Sequence, residues 1–180
     1  MYLISLYFDE KTDQRIRSLM DCAAEGSGNT DMTDKHVPPH ITLSVFESRE
    51  KEEVLLRRLD VVFAGLTQAN LTWVSVAAFF PRVLYLVPVL SEALHEFSEK
   101  VSQALGSCKD TKIQECYKPF CWIPHTTVAR RLTPQQMQGA FAALQTSFVP
   151  FDGTVVRAGL STGSPKQQIR TWDLLKRRNM

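Results

Sequence analysis

Residues 39–46 read PHITLSVF, and 85 positions further on residues 124–129 read PHTTVA. Each stretch sets a proline-histidine pair ahead of a run rich in β-forming residues, with a threonine two places after the histidine. On an extended strand, residues i and i+2 point to one face. His40 and Thr42 therefore share a face, and so do His125 and Thr127, while Ile41, Leu43 and Val128 turn to an apolar side. The same offset carries Leu43 onto Val128 and Ser48 onto Thr133. Thr133-Pro134-Gln135-Gln136 is a strong helix start, with threonine at the cap, proline at the first position and glutamine at the third.

Outward from these motifs the order of elements also repeats. Tyr2–Phe8 alternates as a strand, and Ile16, Leu19, Met20 and Ala23 recur at helical spacing. Residues 25–35, EGSGNTDMTDK, are polar with two glycines and predict a mobile loop that leads into the first motif and can close over a ligand. His36 opens the stiff HVPP stretch after that loop and reads as a loop histidine, because Pro38 and Pro39 forbid the helix that an H-x-x-x-H metal site needs. A helix is predicted over residues 52–65 and a strand over 71–80. The second half then offers a strand at 82–87, a helix marked by Leu90, Leu94, Phe97, Val101 and Leu105, a strand over CWIPHTTVA, the helix from Thr133, and strands at 155–160 and 169–175. Two long repeats, about 1–80 and 81–180, are not a solenoid. They predict a single α+β domain spanning 1–180. Its two lobes are related by a pseudo-two-fold axis, each with an antiparallel sheet and flanking helices, and the motifs face one another across a groove.

The bulk properties set limits on the alternatives. The chain has 180 residues, 44% of them hydrophobic and 22% charged, which suits a globular domain that needs no staples. No window approaches about 18 uninterrupted apolar residues, so no membrane span is expected. The start, MYLISLYFDEK, reads as a strand and not as a leader. The net charge of +2 does not mark a nucleic-acid binder. From Pro165 onward Lys166, Arg170, Lys176, Arg177 and Arg178 face only Asp173, a local excess that is either a solvated tail or a phosphate contact. Cys22, Cys108, Cys116 and Cys121 form no C-x-x-C pair and are expected as reduced thiols of a cytoplasmic protein. Cys116, Cys121 and His125 leave a zinc site one ligand short, so no metal is expected. Trp73, Trp122 and Trp172 are taken as core, with Trp122 nearest a motif, and His95 as a surface position on its helix.

Two imidazoles and two hydroxyls on facing strands can carry out chemistry. Histidine has an ordinary pKa of about 6.5, so one ring can act as a general base and the other as a general acid near neutral pH. Threonine hydroxyls donate to anionic oxygens. Such a set suits in-line attack on a phosphodiester, with the charge that develops on the non-bridging oxygens met by the hydroxyls and the imidazolium. Around the motifs, three further positions are candidate substrate contacts. Arg130 can clamp a phosphate if a bulge re-aims it, since strict alternation puts it on the opposite face. Phe46 has the parity of His40 and Thr42 and either stacks a base or fills the core. Tyr85 either lines the groove or packs inside. Of Tyr7 and Phe8, only one can face the cleft.

These residues resemble the two-histidine (2H) phosphoesterase superfamily, in particular its bacterial RNA 2′,3′-cyclic phosphodiesterase and 2′-5′ RNA ligase branch. The resemblance rests on PHITLSVF, on PRVLYLVPV at 81–89 and on WIPHTTVARRL at 122–132. It implies the bilobal α+β fold and a catalytic set of His40, His125, Thr42 and Thr127, the histidines as the acid/base pair and the threonines on the phosphate. It also implies an arginine after the second motif, where Arg130 stands, and an aromatic ending the first, where Phe46 stands. The implied substrate is an RNA end or a small cyclic nucleotide, opened without metal or cofactor, with reversible 2′-5′ RNA ligation as an accompanying reaction. A monomer is expected. The rival reading is a binding module that holds a nucleotide or RNA end in the same groove without turnover.

Overall fold

The computed structural model describes residues 1–163 and 167–176; of the basic tail, Lys166, Arg177 and Arg178 lie outside the described residues. The strands are β1 (Tyr2–Phe8), β2 (Ile41–Glu47), β3 (Ala69–Phe79), β4 (Val83–Pro88), β5 (Lys112–Ile113), β6 (Thr126–Ala129), β7 (Phe151–Thr162) and β8 (Gln168–Asp173). The helices are α1 (Glu10–Ser27), α2 (Asp31–Asp34), α3 (Glu52–Ala64), α4 (Glu92–Gly106) and α5 (Pro134–Ser147).

The α+β class and the antiparallel pairing hold. The strands do not form two separate sheets, however. They form one hydrogen-bonded network ordered β5-β2-β1-β7-β3-β4-β6, with β8 also on β7. The twelve-residue β7 makes this continuity possible. Its first part, Phe151 to Val155, pairs with β3, and its remainder pairs with β1 on one edge and β8 on the other. The order β2-β1-β7 has its counterpart in β6-β4-β3, and β7 and β3 pair with each other at the centre. Each sequence repeat thus lends its last long strand to the other half. Although β2 and β6 stand far apart in this order, the sheet brings them into contact.

Helix packing follows the same exchange: α1 of the first repeat packs on α5 of the second, and α3 packs on α4. The helical stripe read from the sequence is the buried one in α1, where Ile16, Leu19, Met20 and Ala23 enter the core. Asp9 caps that helix by accepting from the Thr12 N–H, and α5 carries the full capping box between Thr133 and Gln136. The helix expected over 52–65 is α3, Glu52–Ala64. Two expectations are corrected. Leu90 lies ahead of α4 and is 58% exposed, because Ser91 caps the helix there. The predicted mobile loop is mostly ordered helix: α1 runs on to Ser27, Gly28 ends it at φ 65°, and α2 follows at once. Gly26 does not break α1. It lies against Gly139 of α5, where a methyl group at Gly139 would fall 2.2 Å from the Gly26 carbonyl oxygen.

Among the described residues no helix is long and apolar enough to cross a membrane, and the four cysteines are free thiols.

Candidate active site

The two motifs are built alike down to their hydrogen bonds. Proline at 39 and at 124 is buried and holds the preceding backbone extended. The carbonyl two residues before each histidine is thereby turned onto the ring. His40 Nδ1 lies 2.7 Å from the Pro38 carbonyl oxygen, and His125 Nδ1 lies 2.8 Å from that of Ile123. A carbonyl only accepts, so Nδ1 carries the proton in both rings. In the neutral imidazole Nε2 then holds the lone pair. Burial pushes the His125 pKa below its ordinary 6.5, against the opposing pull of the Ile123 carbonyl.

A second shared feature was not visible in the sequence. The β1–β2 ladder steps from Ile4 opposite Ser44 to Ser5 opposite Thr42, which leaves Leu43 as a bulge. The β4–β6 ladder steps from Leu84 opposite Ala129 to Tyr85 opposite Thr127, which leaves Val128 as a bulge. Leu43 and Val128 are again 85 positions apart. A bulge resets alternation, and that bears on two candidates in opposite directions. Phe46 does not share the face of Thr42. It is fully buried, opposite Tyr2 and stacked on its ring at 5.4 Å, so the structure places it in the core. The bulge at Val128 gives residue 130 the parity of Thr127, but Arg130 lies just past the end of β6.

Around His125 the face is aromatic. Tyr85, directly across from Thr127, meets the imidazole edge-on at 5.3 Å and stacks on Phe79 at 4.2 Å, and Phe79 meets the same imidazole at 4.9 Å. Tyr85 thus belongs to the motif face even though it is buried. Beside His40 the Tyr7 ring lies at 6.3 Å, while Phe8 turns into the core, edge-on to Trp73. Burial raises the Tyr7 phenol above its ordinary pKa. Thr42 is nearly buried and Thr127 half-buried.

Arg130 does not stand alone. Its Nε lies 2.7 Å from Asp31 Oδ2, and Arg131 and Lys35 pair with the same carboxylate. These cations, Lys35 first, hold the Asp31 pKa down to about 2. Asp31 thereby ties α2 to the end of β6. Nothing in the sequence singled it out, because its two arginine partners lie about a hundred positions away. His36, exposed at φ 48°, borders α2. His95 is a surface residue on α4 beside Glu99 and Phe120.

The two motifs are bonded to each other through Trp122. Its indole N–H donates to the Thr42 carbonyl at 3.0 Å, so the approach to His125 is fastened to the strand that follows His40. The Trp73 indole donates to Thr126 Oγ1 at 3.2 Å and pins β6 from the core side. Among the described residues no group of three or more His, Cys, Asp or Glu is placed to hold a metal ion.

Residues 8–164 match the 2′-5′ RNA ligase superfamily, and the chain belongs to this family of two-histidine phosphoesterases. The family supports a phosphodiester-acting enzyme. The fold is that of Escherichia coli LigT complexed with 3′-AMP, with 14% identity, a TM-score of 0.58, and 96% of this chain and 97% of that one covered. LigT complexed with ATP aligns at 13% identity and a TM-score of 0.59 over 97% and 96% of the two chains. Protein TT0787 of Thermus thermophilus aligns at 13% identity and a TM-score of 0.58, covering 98% of this chain and 99% of its own. No curated protein matches the sequence.

Proposed function

We propose that the protein opens 2′,3′-cyclic phosphates of RNA ends or nucleotides by paired-histidine acid/base catalysis. The observation that carries this is the duplicated Pro-His-x-Thr unit. Each unit has the same Nδ1 bond to the carbonyl two residues back and the same bulge after the threonine. Pure binding needs neither an acid nor a base, and it gives no reason to fix the same tautomer twice.

In this reading His125 is the base for hydrolysis, because its burial keeps the ring neutral near pH 7. Nε2 of His125 takes a proton from water, and the water oxygen attacks phosphorus. The bond from phosphorus to one ribose oxygen breaks, and protonated His40 supplies that oxygen with a proton. The product is a phosphomonoester with one free ribose hydroxyl. Thr42 and Thr127 donate to the non-bridging oxygens, and Arg130 adds positive charge at the Thr127 side. Tyr85 and Phe79 pack against the base and hold its ring in place. The strain of the five-membered phosphate ring lowers the barrier, so no metal is called for. With a ribose hydroxyl of a second strand as the nucleophile in place of water, the same ring opening joins two strands, and its reverse cleaves them.

Hydrolysis of a 2′,3′-cyclic mononucleotide in EDTA tests the reading. Turnover to a single monophosphate is expected, and the isomer formed identifies the oxygen that leaves. Tight nucleotide binding without turnover, on mononucleotide and on RNA ends alike, would establish the binding module instead.

A further inference from the structure

Besides β5, which has no counterpart beside β6, the pseudo-symmetry of the sheet is broken at the centre. Past its pairing with β3, the edge of β7 is taken up by β8, from Arg157 opposite Asp173 to Ser161 opposite Gln168. The corresponding edge of β3 lies past its pairing with β7, beyond Trp73. Among the described residues no strand pairs with that edge. On the other edge β4 runs alongside from Ser75 to Phe79.

What β8 does in its half shows what this edge accepts. Trp172 of β8 stacks on Phe63 of α3 at 4.7 Å and donates from its indole to Asp60 at 2.7 Å. The offset of 85 maps Phe63 onto Phe148 and Asp60 onto Gln145, and it also maps the buried Leu55 and Leu59 onto the buried Ala140 and Leu144. At the corresponding position by β3 there is an open crevice of ≈ 290 Å³, bordered by Val74, Val76, Phe141, Gln145 and Phe148. A second, apolar recess of ≈ 430 Å³ continues it along Ala78, Phe80 and α5. The α5 side of β3 thus carries Val74, Val76, Ala78 and Phe80. Of these, Val74 is 42% exposed and Phe80 82%, and Phe141 on α5 is 40% exposed.

The patch is also uncharged. Residues 69–81 contain no charged side chain, and neither do residues 134–150. Exposed strand edges are ordinarily guarded by charges that repel a second edge. Here two identical edges can meet without bringing like charges together. Under a two-fold axis through Ala77, residue 74 stands opposite residue 80 of the other copy, and 76 opposite 78. This sets each Phe80, an exposed aromatic, over the crevice of the other copy, where Trp172 sits in the corresponding half.

We propose that the β3 edge and α5 form a homodimer interface, in which a second copy of this chain adds its own β3 antiparallel at residues 74–80 and seats Phe80 against Val74, Phe141 and Phe148. The contact is isologous and closes on itself, so it makes a dimer and not a fibre. It replaces the expected monomer. Because Phe79 ends β3 immediately before Phe80, the interface borders the His125 side of the site without using its residues.

Sedimentation of the full chain over micromolar to millimolar concentrations tests this, with a Val74→Glu/Phe141→Glu variant alongside. The wild type is expected to reach a dimer, and the variant to stay monomeric with unchanged circular dichroism and unchanged phosphodiesterase activity. Hydrogen exchange of wild-type amides 74–80 is expected to slow as concentration rises, a readout that needs no variant to fold. A monomer throughout with concentration-independent exchange at 74–80 overturns the proposal, and this includes the case in which the edge takes a peptide of another protein. A dimer that persists in the folded variant overturns it as well.

Discussion

His125 shows how a common residue is set for one task. The Ile123 carbonyl fixes Nδ1–H, Tyr85 and Phe79 meet the ring edge-on, and burial penalises the imidazolium. The sign of the pH dependence follows. As pH falls through a value below 6.5, His125 gains a proton and loses the lone pair that the proposed mechanism requires of it. The acid limb of kcat/KM is therefore expected below pH 6.5, with a fall of about tenfold per pH unit. An acid limb above 6.5 would assign the base elsewhere. The same proton costs stability. The unfolded chain takes it up first as pH drops past 6.5, so His125 disfavours the native state progressively below that point. At this scale the repeat was legible in the sequence: spacing alone matches His40 and Thr42 to His125 and Thr127, and the two units share the same Nδ1 bond and the same bulge. Phe46 was misassigned because parity was counted through a bulge, and single-strand alternation carries no sign of one. The same bulge in β6 gives residue 130 the parity of Thr127.

At the scale of elements, α1 and α5 hold the fold at a point where no side chain intervenes. Gly26 and Gly139 let the two backbones touch. A Gly139→Ala substitution adds a methyl group against a main-chain carbonyl that cannot move aside. It is expected to destabilise by about 1–3 kcal/mol despite the better helix propensity of alanine. Urea unfolding measures it, and an unchanged midpoint would show that the helices are free to part. Removing the α5 cap with Thr133→Ala is expected to cost about 1 kcal/mol by the same assay. The cap was legible because its three residues act locally. The continuation of α1 past Gly26 was not, because a glycine that reads as a breaker in sequence serves here as a contact for a helix more than a hundred positions away. The stretch CWIPHTTVA read as one strand, yet only Thr126–Ala129 pairs in the sheet. The residues before it are spent on the His125 turn and on Trp122.

Across the whole molecule, the repeats exchange strands and helices, and the site lies where the exchange brings β2 and β6 together. A repeat in sequence shows that two halves are related. It does not show which strand pairs with which, since β7 with β3 and β1 with β7 are long-range choices made by packing. Trp122 is the direct bond between the motifs. A Trp122→Phe substitution keeps the ring in the core but removes the donor to a buried carbonyl. It is expected to cost about 1–3 kcal/mol of stability, and to lower kcat more than it raises KM. A variant as stable and as fast as wild type would mean that the two motifs are held by the sheet alone.

The central claim is that the two histidines act as one unit on one phosphate. Comparing kcat for wild type, His40→Ala, His125→Ala and the double variant on a 2′,3′-cyclic nucleotide tests it most directly. Each single substitution is expected to lower kcat by about 10²–10⁴-fold. The double variant is expected to be about as slow as the slower single one, since residues that act together do not lose their effect twice. Either single variant within a few-fold of wild type, or a double variant slowed by the product of the two single effects, would contradict the account.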